Sequence, residues 1–190
     1  MQRFSSSKKL LRLISARYDM ANALDAYNHF ACSPTGTPVA EYFFCAMVVV
    51  YGRPFTESHG LGSIKCEYPN YPDFPDQEMN DRHLRLMDIR NKFLAHSSAE
   101  GTKIIIIPPQ TSNPLTGIVS NQFDHNVGKR TFLEPRFADW LIKVVYEFKN
   151  RLDADTKMQM ETEFGGQIFT GPFEVQTSWD DFKWTNAVLG

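Results

Sequence analysis

Between Pro135 and the Gly165-Gly166 pair the chain carries one apolar stripe, Phe137, Leu141, Val144, Val145, Phe148 and Leu152, while Lys143, Glu147, Lys149 and Arg151 stay off it. Steps of three, four and seven residues place such a stripe on one side of a helix, and a one-sided helix must be covered by other elements. Proline suits the first helical turn, where its missing N–H leaves no partner wanting, and paired glycines end the helix. This segment directs the chain towards a packed helical architecture.

Three upstream segments supply the partners. Ser5 to Ser7 offer N-caps, and Leu10, Ile14, Tyr18, Ala21 and Leu24 then recur at three- and four-residue steps, predicting a helix to about Phe30 that ends in Cys32-Ser33-Pro34-Thr35-Gly36. Thr37 as cap with Pro38 in the first turn opens a second helix, and because Val39 to Arg53 is apolar nearly all round it is expected to be the central buried one. Val48 to Val50 would suit a strand, but the length of the run and its helix-start signal favour a helix. Asp76 caps a third helix, in which His83, Leu86, Met87, Arg90, Phe93 and Leu94 share one broad face that mixes core and site.

The connections are distinctive. Pro54 to Asp76 contains Gly60, Gly62 and the pattern Tyr68-Pro69, Tyr71-Pro72, Phe74-Pro75, which predicts a long ordered loop whose rings either cover the bundle or stack on bases. After Gly101, the β-branched run Thr102 to Ile107, ended by Pro108-Pro109, reads as a strand. A second strand is expected within Gly117 to Val127, with Ser112 to Gly117 as the turn. The isoleucines of this β-hairpin insert require cover from a helix, the C-terminal tail or a second subunit. The fold expected is mainly α: a four-helix bundle over residues 1–164 with the hairpin at about 102–127. The tail, 165–190, holds Phe169, Phe173, Trp179, Phe182 and Trp184 and is expected to dock on the bundle or on a partner subunit.

Bulk properties exclude several classes. A chain of 190 residues with 42% hydrophobic content supplies the core of one domain. Twenty basic against 22 acidic residues leave a formal charge of −2, so no global field holds a polyanion and any nucleic-acid site must be local. Cys32, Cys45 and Cys66 are odd in number and lack CxxC spacing, which reads as reduced thiols, small buried hydrophobes in a cytosolic protein. The N-terminal segment lacks the uninterrupted apolar core of a secretory signal, and Tyr42 to Tyr51 is about half the length needed to cross a bilayer. A cytoplasmic protein with no membrane association is the expectation. His29, His59, His83, His96 and His125 form no HxxxH or HExxH pattern, and no Walker sequence or GxSxG elbow occurs. No metal and no cofactor are predicted.

The chemistry concentrates in Met79 to Ser98, MNDRHLRLMDIRNKFLAHSS, which puts Arg90, Asn91 and His96 near one end of a helix. A guanidinium, an amide and an imidazole together can bind a phosphate, orient it and move a proton near neutral pH. Arg53, His83 and Lys92 are candidate substrate-binding residues beside them. Each has a plainer reading: Arg53 as a salt bridge to helix three, His83 as a satisfied core histidine, Lys92 as a solvated cation. Arg90 itself can instead pair with a carboxylate such as Asp81 or Asp88, with Asn91 and His96 capping helix ends.

Arg90-Asn91, four residues, then His96 resembles the signature of the HEPN superfamily (higher eukaryote and prokaryote nucleotide-binding), small helical domains that include metal-independent ribonucleases. Tyr51-Gly52-Arg53-Pro54-Phe55-Thr56 also resembles a recurrent element of bacterial HEPN-like proteins. The two pieces lie within Tyr51 to Ser98, about a quarter of the chain. The resemblance implies a HEPN-like bundle and a homodimer in which two Arg90–His96 motifs meet in one groove. It also implies RNA cleavage by 2′-hydroxyl attack, with His96 as general acid or base and Arg90 stabilising the transition state. The competing expectation is a non-catalytic interaction or nucleotide-binding module, for instance in a toxin–antitoxin or phage-defence system with an antitoxin or regulatory partner. A receptor for a small anionic ligand, bound between helices two and three, is the third.

Overall fold

The computed structural model describes residues 3–5, 7–57, 62–95, 104–127, 135–166 and 174–176. They form a mainly helical structure of four α-helices: α1 (Lys8–Cys32), α2 (Pro38–Gly52), α3 (Gln77–Asp88) and α4 (Pro135–Phe164). The helix starts follow from local chemistry. Ser7 Oγ accepts the Leu10 N–H at 3.1 Å, Thr37 Oγ1 accepts that of Ala40 at 3.3 Å, and Asp76 Oδ1 accepts that of Glu78 at 2.9 Å. Each satisfies an N–H that the first helical turn leaves without a backbone acceptor.

Helix α1 packs against both α2 and α4, and α3 packs on α4. The shared core includes Leu13 and Met20 of α1, Phe44, Met47 and Tyr51 of α2, Leu86 of α3, and Leu141, Val145, Phe148 and Leu152 of α4. Polar contacts fasten the long α1–α4 seam: Ser7 and Glu163 at one end, Arg17 with Asp153 along it, and the Tyr27 hydroxyl donating to Asp139 Oδ1 at 2.6 Å. The aromatic-proline connection reaches into the same core. Tyr71 and Phe74 are buried, with ring centroids 5.6 and 6.3 Å from that of Phe148. Their faces are spent on packing, so of the two roles open to this loop these rings take the covering one.

Helix α2 departs from expectation. Its inner face is fully buried, but Val39, Tyr42 and Val49 are exposed, Tyr42 by 71%. Among the described residues the neighbours of α2 leave these side chains exposed, so a segment apolar nearly all round is not central. The cysteines differ too: Cys32 and Cys66 are exposed and Cys45 is half-buried, none in a disulfide.

Two short ladders complete the described structure. Strand β1 (Arg3–Ser5) pairs in parallel with β4 (Glu174–Gln176), a pairing between the two ends of the chain that the sequence reading did not anticipate. Strands β2 (Ile104–Ile107) and β3 (Asp124–Val127) pair antiparallel. Between them Asn113 Oδ1 accepts the N–H groups of Leu115 and Thr116 at 2.9 and 3.3 Å, and Gly117 takes the left-handed φ of 71° that closes the turn. Ile107 is buried, whereas Ile106 is 60% exposed, so cover for the isoleucines is incomplete within the described residues. The tail aromatics Phe169, Phe173, Trp179, Phe182 and Trp184 lie outside the described residues.

Candidate functional site

No Gly or Pro interrupts Gln77 to Ala95, and the sequence therefore predicts one continuous α-helix. The structure changes winding inside it: α3 ends at Asp88 and a π-helical segment, Ile89–Ala95, continues the chain. A π turn closes i→i+5 hydrogen bonds and is rare, and such turns recur at functional sites because they redirect side chains within an otherwise regular helix. Arg90 and Asn91 sit at its start. His96, the third member of the expected catalytic group, lies outside the described residues.

Three consecutive residues, the last two of α2 and the one after it, meet three different partners. The Tyr51 hydroxyl and His83 Nδ1 are hydrogen-bonded at 2.7 Å. Gly52 lies against Arg90, so closely that a Cβ on Gly52 would fall 2.3 Å from Arg90 Cδ and 2.8 Å from its Nε. Arg53, next in the chain, forms an ion pair with Asp19 of α1, Nη1 to Oδ1 3.5 Å.

Arg90 is half-buried, and its Nη1 donates to the Asn91 side-chain oxygen at 2.8 Å. Its Nε is fully buried and makes no hydrogen bond. Among the described residues no carboxylate pairs with it. Asp88, a candidate partner two residues away, is taken by Lys92 Nζ at 2.9 Å and Arg85 Nη1 at 3.4 Å. Asp81, the other, accepts a bond from Gln77 Nε2 at 2.9 Å. A guanidinium with its stem laid on a glycine and one corner held by an amide has lost most of its rotamer freedom before any ligand arrives. That is the preorganisation an oxyanion site requires.

His83 is half-buried against aromatic rings. Its ring centroid is 4.7 Å from that of Phe55 and 6.3 Å from that of Phe74. Burial, reinforced by the charge of Lys65, lowers its pKa to about 4, so it is a neutral imidazole at pH 7. The same burial holds the Tyr51 phenol well above its ordinary pKa, so the pair shares one neutral hydrogen bond. On Asp19, burial raises the carboxyl pKa and Arg53 opposes the rise.

Of the six residues singled out from sequence, the structure brings Arg90 and Asn91 together by a direct bond. Lys92 sits one residue further on and faces Asp88; Arg53 and His83 each meet an intramolecular partner instead. Sequence reasoning gave no role to Gly52, Tyr51 or Asp19. The available signal was the Tyr51-Gly52-Arg53 run itself, a glycine at the end of the most apolar helix, where helix propensity alone disfavours it. Among the described residues no group of three His, Cys, Asp or Glu side chains is arranged to hold a metal ion, and no helix is long and apolar enough to cross a membrane. No family model, no curated protein and no solved structure matches the chain.

Proposed function

We propose that this chain is a HEPN-like protein that acts on RNA as a metal-independent endoribonuclease. The observation that carries the reading is the Arg90 guanidinium, preorganised by Gly52 and Asn91 and paired with no carboxylate among the described residues. In the proposed reaction Arg90 neutralises non-bridging oxygens of the scissile phosphate. The ribose 2′-hydroxyl gives up its proton and attacks phosphorus, the bond to the 5′-oxygen breaks, and that oxygen takes a proton. His96 is the proposed carrier of one of these protons, and the products are a 2′,3′-cyclic phosphate and a 5′-hydroxyl. Two copies of the motif would form one groove in a homodimer, and an antitoxin-like partner would control it.

A second reading, a nucleotide-binding or interaction module without catalysis, is favoured by one specific observation. Arg53 is paired with Asp19, Lys92 with Asp88, and the half-buried His83 is neutral, so the charge around Arg90 suits a small phosphate better than a long strand. Purified wild type, His96→Ala and Arg90→Lys proteins incubated with single-stranded and structured RNA in EDTA separate the two. Cleavage by wild type alone, with cyclic phosphate ends, is the expected result. No cleavage of any RNA, together with binding of a nucleotide that Arg90→Lys weakens, would replace the nuclease with the binding module.

A further inference from the structure

We infer that Gly52 is a positioning residue for Arg90: its missing side chain is the space in which the arginine stem lies. Gly52 is buried and has φ −74° and ψ −16°, a right-handed helical conformation open to every L-residue. Glycine weakens a helix relative to alanine, so nothing in the backbone calls for it here. What calls for it is steric. The three atoms nearest to a Cβ at position 52 are Cδ, Nε and Cγ of Arg90, at 2.3, 2.8 and 3.4 Å, and real side chains do not approach below about 3 Å. A methyl group at 52 therefore evicts Arg90, and because a flexible side chain yields more readily than packed backbone, the fold survives.

The inference rests on the reading of Arg90 as the phosphate-binding group only where catalysis is concerned. The buried Nε, with its N–H enclosed over Gly52, gives a readout independent of activity. In wild-type protein the Arg90 Nε–H resonance, assigned by its disappearance in Arg90→Lys, should exchange slowly with water. In Gly52→Ala it should shift and exchange like an exposed arginine while the backbone spectrum stays folded. An unmoved resonance would overturn the inference. Should Gly52→Ala fail to fold, Gly52→Ala combined with Arg90→Ala tests the same point. Recovery of folding supports the seat, and failure of both means that something other than Arg90 fills the space.

Where wild type cleaves RNA, Gly52→Ala should lose about 100-fold in kcat with little change in KM, the order expected for a catalytic group displaced by an ångström. An unchanged kcat beside a displaced resonance would refute the positioning role. A wild type that cleaves nothing would defeat the nuclease reading and leave the resonance to decide this one.

Discussion

Acidification should unfold this protein partly through one residue, His83. Its imidazole is enclosed by Tyr51, Phe55 and Phe74, and burial followed by the charge of Lys65 lowers its pKa from 6.5 to about 4. The unfolded chain therefore takes up a proton through pH 6.5 that the folded chain refuses until about pH 4. Stability associated with His83 is fully present above pH 6.5 and is lost as the pH falls through that window. Summing the two titrations between pH 7 and pH 5 gives a loss of about 2 kcal/mol. Urea denaturation of wild type at the two pH values measures the total, which includes Asp19, Asp153 and Asp155, all with shifted pKa values. The control is Tyr51→Phe with His83→Phe, which keeps two rings in place and removes both ends of the hydrogen bond, leaving no orphaned polar group. The control should lose less stability than wild type over this interval by about 2 kcal/mol. Equal losses in the two proteins would refute the assignment.

Other perturbations follow from the same packing. Phe148→Ala, which removes a buried ring 5.1 Å from Phe55 and 5.6 Å from Tyr71, should cost about 4 kcal/mol by urea denaturation. Asp76→Ala, which deletes the cap accepting the Glu78 N–H at 2.9 Å, should cost about 1 kcal/mol, read as a lower thermal midpoint. Arg53→Ala should cost about 1 kcal/mol or less at pH 7, since Arg53 is exposed, and the loss should shrink at acidic pH because a protonated Asp19 needs no cation. A loss that grew on acidification would contradict the pairing.

The elements most legible in the sequence are those governed by neighbours along the chain. Ser7, Thr37 with Pro38, and Asp76 each mark a helix start because capping involves atoms only two or three residues apart. The stripe Leu141, Val144, Val145, Phe148 and Leu152 is legible because helical geometry alone puts those residues on one side, and all five are buried. The pairing of Arg90 with Asn91 is equally local.

Contacts between distant segments were decided by the tertiary structure. Helix α2 is apolar nearly all round, and which side is buried depends on where α1 packs, so Val39, Tyr42 and Val49 end up exposed. The turn from α- to π-winding at Ile89 has no glycine or proline to announce it. His83 and Arg90 lie seven residues apart on nearly one helical face, yet one is fixed by Tyr51 and the other laid over Gly52, both contributed by α2. The chain by itself determined that there are helices and where they begin. Only packing decided that Arg90 meets no carboxylate among the described residues, because that depends on which carboxylates other helices bring within reach.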